Sequence, residues 1–311
     1  LNDALSNAPA RRMMQRVVPN RLDCFTTRKG HHAEGAVFFL IFGFTKGATV
    51  AKVGVLGVGD LADKIVRGLL RHDELAAENV LLSPRNARKA EVLATDFGCT
   101  VLSSNQQVVD EADLLLISVR PDQLRDLSRQ IRLSGRRTII SVVAGIPVSD
   151  LRQLFGHHDF VRSMLSYASE ICQSTVAVFP GHVRVERLLS KLGNLVTFDV
   201  EGEFELATIG ACMNGLLYFL ADELQRWLVK AGLPPETALA LVLSGMTDCA
   251  AYSRFCSPTP IADIGRSIAT PGTLTALGLK TLRENGGLAG WAGACEEVFR
   301  ELGGSTTEGR P

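Results

Sequence analysis

The chain has no C-x-x-C pair, no H-E-x-x-H or comparable histidine spacing, and no net charge. Its seven cysteines (Cys24, Cys99, Cys172, Cys212, Cys249, Cys256 and Cys295) are scattered, several of them in apolar segments, so they read as reduced core thiols and not as a disulfide framework. The six histidines offer no metal-ligand spacing, and the pairs His31-His32 and His157-His158 are expected in exposed loops; no metal is expected. Thirty-three basic residues balance 33 acidic ones, which excludes the basic excess that marks a nucleic-acid or anionic-membrane partner and makes any anion site local. No uninterrupted apolar run reaches the roughly 18 residues of a membrane span. The nearest candidate, Ala36 to Phe44, follows Arg28-Lys29 in an arginine-rich, acid-poor stretch. Residues 1–49 are expected to be an N-terminal extension outside the fold, with a targeting leader and a disordered tail as the alternatives, and the protein is expected in the cytoplasm.

What is present is alternation. From Lys52 onward, short β-branched or leucine-rich runs alternate with helical stretches: Lys52 to Leu56, Val80 to Ser83, Thr100 to Leu102, Leu114 to Val119, Thr138 to Val143, Phe160 to Met164, Thr175 to Phe179 and Leu195 to Val200. This pattern predicts an α/β fold, a doubly wound, mostly parallel sheet of Rossmann type over residues 50–201. Pro84, Pro121 and Pro147 punctuate the turns into the following helices. Past Gly202 the period changes. Leu206, Ile209, Met213, Leu217, Leu220, Leu224 and Leu228 recur at three and four, which predicts one long helix with a buried face. Gly232 ends it, Pro234-Pro235-Glu236 starts the next, and two further helices follow at Thr273 to Glu284 and Leu288 to Leu302. An all-helical domain over 202–303 and a tail over 304–311 complete the expected organisation, with no internal repeat.

Two loops carry the chemistry. The first, Leu56, Gly57, Val58, Gly59, Asp60 and Leu61, with Ala62 as the third small position, follows an apolar strand and opens a helix, the context in which a dinucleotide's pyrophosphate binds. After the second strand, where an NAD-selective site places a carboxylate, stand Ser83, Arg85 and Arg88. A hydroxyl and two guanidinium groups suit a ribose phosphate, so NADPH is expected in preference to NADH. The second loop, Thr270-Pro271-Gly272-Thr273-Leu274-Thr275, is a helix start with bare amides and hydroxyls, which suits a small anionic substrate.

With Ser118-Val119-Arg120-Pro121 ending the fourth strand and Val143-Ala144-Gly145-Ile146 the fifth, the chain resembles the pyrroline-5-carboxylate reductase family from about Val53 to Gly286. The family's V-K-P stands here as Val119-Arg120-Pro121, its A-G-I as Ala144-Gly145-Ile146, and its S-P-G-G-x-T as Thr270 to Thr275. The resemblance implies that Ser118, Val119, Arg120, Pro121, Val143, Ala144 and Gly145 border the cofactor. It implies that Asn105 contacts the cofactor as well, although Asn105 also fits the N-cap of the next helix. It further implies that Gly272, Thr273, Leu274 and Thr275 hold the substrate carboxylate, with the Thr275 hydroxyl at the imine nitrogen as the catalytic group; Ser267 is a neighbour on the cofactor side. The implied activity is reduction of a small cyclic imino acid, pyrroline-5-carboxylate to proline, by a homodimer or larger homo-oligomer built through the helical domain.

Two family segments are altered. M-P-N-T-P becomes Met164-Leu165-Ser166-Tyr167-Ala168, and S-G-S-G-P becomes Cys212-Met213-Asn214-Gly215-Leu216. These changes keep open a non-catalytic NADP-binding sensor of the same fold. A hydroxyacid dehydrogenase would need a lysine with an asparagine one turn later on the long helix, and Phe204 to Trp227 contains Asn214 and no lysine.

Overall fold

The computed structural model describes residues 52–72 and 75–302. Cys24, His31-His32, the extension expected over 1–49 and the tail over 304–311 lie outside them.

Eight strands form one sheet: β1 (Val53–Leu56), β2 (Val80–Leu82), β3 (Thr100–Val101), β4 (Leu114–Ile117), β5 (Thr138–Ser141), β6 (Asp159–Met164), β7 (Ser174–Phe179) and β8 (Gly193–Thr197). Their spatial order is β3-β2-β1-β4-β5-β6-β7-β8. Every neighbouring pair is parallel except β6 and β7, where Ser163 faces Val178 across an antiparallel register. Each expected strand is present within a few residues, because a sheet covered on both faces writes itself as near-continuous apolar runs. Alternate residues serve opposite faces. Val53, Val55, Leu114 and Leu116 pack with Ile65 and Val66 of α1 (Asp60–Leu69) on one side. Leu56, Leu115, Ile117 and Ile139 pack with Val108, Leu127 and Leu151 on the other. These last three lie on α3 (Asn105–Glu111), α4 (Leu124–Gln130) and α5 (Val148–Phe155); α2 (Ala87–Phe97) and α6 (Val183–Leu189) complete the crossovers. Burying each such Val, Leu or Ile contributes about 1.5–3 kcal/mol.

The helical part comprises α7 (Glu201–Lys230), α8 (Pro235–Phe255), α9 (Ile261–Ile268), α10 (Leu274–Glu284) and α11 (Gly287–Glu301). Helix α9, between two prolines, has no counterpart in the expected pattern, being only eight residues long. The long helix exists, but among the described residues its face is not fully covered. Leu206, Leu217 and Leu224 are each about half exposed, and Tyr218, Phe219 and Trp227 more so. The described helices do not supply enough facing surface. Among the described residues α7 is also the one helix long and apolar enough to cross a membrane by length and composition, and 22% of its most apolar window is buried.

The thiols likewise depart from expectation. Cys99 is buried, and burial pushes its thiol up to about 11. Cys212 and Cys249 are exposed, because they lie on helix faces that no described residue covers. His157 is exposed as expected, whereas His158 is half-buried, its ring edge-on to Phe160.

One close approach sets how α1 sits. At Gly68 a Cβ would lie 2.0 Å from the Ser169 carbonyl oxygen and 2.7 Å from Leu192 Cδ2. Replacing Gly68→Ala should therefore cost roughly 1–3 kcal/mol through forced displacement of packed neighbours; denaturant unfolding measures it, and an unchanged midpoint would contradict this packing.

Candidate active site

Strand β1 stops at Leu56 and α1 starts at Asp60, so Gly57, Val58 and Gly59 make the entire turn. It lies at the switch point of the sheet, where β1 has β2 on one side and β4 on the other. Gly57 has φ +96°, a left-handed conformation that side-chain-bearing residues rarely adopt. A Cβ on it would also stand 2.7 Å from Val119 Cγ1 and 2.8 Å from the Ser118 carbonyl oxygen. Gly59 is different: a Cβ there would meet only the Ser118 oxygen, at 4.0 Å. The space over the first turn of α1 is open, no side chain caps it, and the amides of Asp60, Leu61 and Ala62 find no acceptor among the described residues. A helix start with bare amides attracts negative charge, so this cradle fits the pyrophosphate of a dinucleotide.

Two side chains from beyond β2 hold the turn. Ser83 Oγ accepts a hydrogen bond from the Gly57 amide at 2.9 Å, and Asn86 Nδ2 donates to the Val58 carbonyl at 2.9 Å. Ser83 is fully buried, which corrects the expectation that its hydroxyl meets a ribose phosphate; the hydroxyl is engaged below the turn. Asn86 went unnoticed in the sequence. Its only signal was an asparagine just before α2; in the structure it makes no capping bond to that helix. Arg85 and Arg88 are exposed and have no ion pair or hydrogen bond among the described residues, so both guanidinium groups are free at the edge of β2. Lys89 is occupied: it pairs with Asp60, and that hydrogen bond and charge hold the Asp60 carboxyl below its usual range. What Asp60 can offer an anion is its amide.

Several other candidates act from below. Leu56, Val58 and Val143 are buried to within 2% and have their side chains in the core, so they can touch a ligand only through the backbone. Val119 is half-buried, while Arg120, Pro121 and Ala144 are exposed beside the turn from β5 into α5. At Gly145 a Cβ would lie 3.3 Å from Leu302, just past the end of α11. Asn105 is not the cap of α3. Ser104 is, its hydroxyl accepting from the Gln107 amide at 3.2 Å, while Asn105 Nδ2 donates to Gln130 Oε1 at 2.8 Å.

The late loop opens α10. Thr273 accepts from the Ala276 amide at 3.2 Å and donates to the Thr270 carbonyl at 2.8 Å, and its own amide also donates to that carbonyl. Its polar groups thus build the loop and are not left for a ligand. The amides of Gly272, Leu274 and Thr275 and the Thr275 hydroxyl have no partner among the described residues. Ser267 Oγ donates to the Ile264 carbonyl within α9. Among the described residues no hydrogen bond or ion pair joins 261–286 to the sheet, and a Cβ at Gly272 would meet nothing within 4 Å.

The two altered segments meet. A cleft of about 460 Å³ between the β7–β8 edge and α7 is lined by Met164, Ser166 and Ala168 of the first and Met213 and Asn214 of the second. Ala168, in place of a family proline, and Met213, in place of a family glycine, therefore border one space together with Ser166 and Asn214. No residue of the glycine turn lines it. Among the described residues no three His, Cys, Asp or Glu side chains gather as metal ligands.

Comparison with known proteins agrees with this layout. Residues 52–145 match the family model described as NADP oxidoreductase, coenzyme F420-dependent, and residues 204–302 match that described as pyrroline-5-carboxylate reductase dimerisation. The pyrroline-5-carboxylate reductase of Pisum sativum is 27% identical over 247 residues, spanning 76% of this chain and 89% of the relative. In fold, the chain is similar to the solved 1-pyrroline-5-carboxylate reductase of Streptococcus pyogenes, with TM-score 0.72 and 24% identity over 81% of this chain and 98% of that one. It is also similar to the Plasmodium falciparum pyrroline carboxylate reductase solved with NADP bound, with TM-score 0.73 and 20% identity over 81% and 97%. The protein is an oxidoreductase of the NAD(P)-dependent class, a Rossmann domain followed by a helical one. Within that class its similarity is to the pyrroline-5-carboxylate reductase family.

Removing the support of the glycine turn tests its energetics. Ser83→Ala leaves the Gly57 amide without its acceptor and should lower stability by about 1–3 kcal/mol, read from the denaturant midpoint.

Proposed function

We propose that this protein is a cytoplasmic, NADPH-dependent reductase of a small cyclic imino acid, pyrroline-5-carboxylate in the first instance, and that it works as a homodimer. The observation that carries the cofactor assignment is the pairing of an uncapped α1 start with two free guanidinium groups, Arg85 and Arg88, at the end of β2. The bare amides of Asp60, Leu61 and Ala62 would hold the pyrophosphate, and the guanidinium groups would take the ribose phosphate that distinguishes NADPH from NADH. When bound, the reduced nicotinamide supplies a hydride.

The residues of the late loop do the rest. The free amides of Gly272, Leu274 and Thr275, at the positive end of α10, suit the substrate carboxylate. The unpartnered Thr275 hydroxyl accepts the hydrogen bond of the protonated ring nitrogen. Holding that iminium form keeps the ring carbon electrophilic, so the protein needs no separate acid and base; orientation is its main contribution. The carbon gains the hydride, the nitrogen keeps its proton, and the product is the saturated cyclic amino acid.

Because no polar tie joins residues 261–286 to the sheet among the described residues, loop and turn would meet in the assembled dimer. The exposed apolar residues of α7, α8, α10 and α11, among them Phe219, Trp227, Leu241, Leu277 and Leu288, supply the interface. Sedimentation at micromolar concentration should give twice the chain mass, and a monomer would overturn this assembly.

Steady NADPH oxidation on addition of pyrroline-5-carboxylate is the expected activity. Tight NADPH binding without turnover on any cyclic imine would favour a sensor instead. Arg85→Glu should shift the ratio of kcat/KM for NADPH over NADH by about tenfold or more towards NADH, since it replaces a charge-assisted bond with repulsion; an unmoved ratio removes Arg85 from the phosphate site.

A further inference from the structure

Glu201, the first residue of α7, bonds with one carboxylate oxygen to two other elements. Its Oε1 accepts from the Val148 amide, the first N–H of α5, at 2.8 Å, and from Arg162 Nη1 of β6 at 2.8 Å. Arg162 stands opposite Ser141, the last residue of β5, in the sheet register. The segment Val142 to Pro147 runs between Ser141 and Val148, so both of its ends are pinned to the same oxygen. The start is held through the β5–β6 pairing and Arg162, the end through the α5 amide.

Arg162 is an unyielding anchor. It is 1% exposed, and its guanidinium lies 4.7 Å over the ring of the fully buried Phe204. Only Nη1 is engaged, shared between Glu201 and Glu205; Nε and Nη2 are buried without partners. A buried cation with two orphaned donors holds its carboxylates strongly, because nothing else there offsets its desolvation. The two carboxylates differ in what else they hold. Glu201 also caps α5, whereas Glu205 has its second oxygen buried and unpartnered and bonds nothing in the turn.

We propose that Glu201 is a positioning residue for the cofactor end of the active site: it fixes the Val142 to Pro147 turn from beneath and couples the shape of that turn to the start of α7. This role rests on the proposed assignment of Val143, Ala144 and Gly145 to the cofactor border. A cap supplied by a residue of the helical domain makes the turn sensitive to where α7 sits, so a disturbance of the helices reaches the cofactor through one hydrogen bond.

The test compares four variants of the full-length protein by NADPH dissociation constant, by KM for NADPH against kcat, and by thermal midpoint. Glu201→Ala loses both bonds and should weaken NADPH binding about tenfold, with KM rising more than kcat falls. Glu201→Gln keeps an oxygen for the Val148 amide, and Glu205→Ala removes only the second carboxylate; both should lower the thermal midpoint yet hold NADPH affinity within about twofold. Equal losses of affinity in Glu201→Ala and Glu205→Ala would mean a general packing effect and overturn the proposal. Gly59→Val fills the open cradle and examines the underlying cofactor site. If it weakens NADPH binding while Glu201→Ala does not, the role of Glu201 falls alone; if it leaves binding unchanged, the cofactor site and the role of Glu201 fall together.

Discussion

The bond from the Gly57 amide to Ser83 Oγ is the constraint on which the functional end of the molecule depends. Strand β1 must become α1 within three residues while leaving the first amides of the helix uncovered. A left-handed Gly57 achieves the reversal, but it points a partly buried N–H towards the end of β2, where an unsatisfied donor is costly. Ser83 supplies the acceptor and Asn86 secures the next carbonyl. With the turn held from below by β2, nothing on its upper side is needed for its own stability. The open space at Gly59 and the uncapped start of α1 follow from that division of labour.

The helical part answers to a different constraint. Helices α7 to α11 carry more apolar surface than they can turn towards one another or towards the sheet. Phe219 is 74% exposed and Trp227 65%. Exposed aromatic and aliphatic residues spread over several helices form a surface of the kind that a partner covers. The same property accounts for the length and hydropathy that make α7 resemble a membrane span: a helix buried in an assembly and one buried in lipid share a composition. The match of residues 204–302 to a dimerisation model supports the first of these.

Much of this was legible in the sequence, for reasons of period. The strands from Val53–Leu56 to Gly193–Thr197 were readable because both faces of the sheet are covered, and α7 and α8 because Gly232 and Pro234 mark their boundary. The site was legible at the level of segments and less so at the level of atoms. Ser83 looked like a ligand group and is a buried support; Asn105 was expected to touch the cofactor or to cap α3 and is hydrogen-bonded to Gln130; Thr273 looked available and spends its polar groups on its own loop. A hydroxyl or amide has the same letter whether it faces a ligand or a neighbouring carbonyl, and only the surrounding backbone decides which. Arg162 with Glu201 and Glu205 had no sequence signal at all, since the three come together across 39 and 43 residues.

By itself the sequence determined the order of elements, the place of the glycine turn and the late loop, and the change from strand period to helix period near Gly202, because these follow from local spacing and from which residues tolerate a turn. Tertiary structure decided what those residues hold. It made Ser83 and Asn86 the clamp on Gly57, joined the two altered segments across one cleft, and set Glu201 against both Val148 and Arg162. Each of these is a contact between distant parts of the chain. Their geometry is fixed by how strands register and helices pack, which no window along the sequence contains.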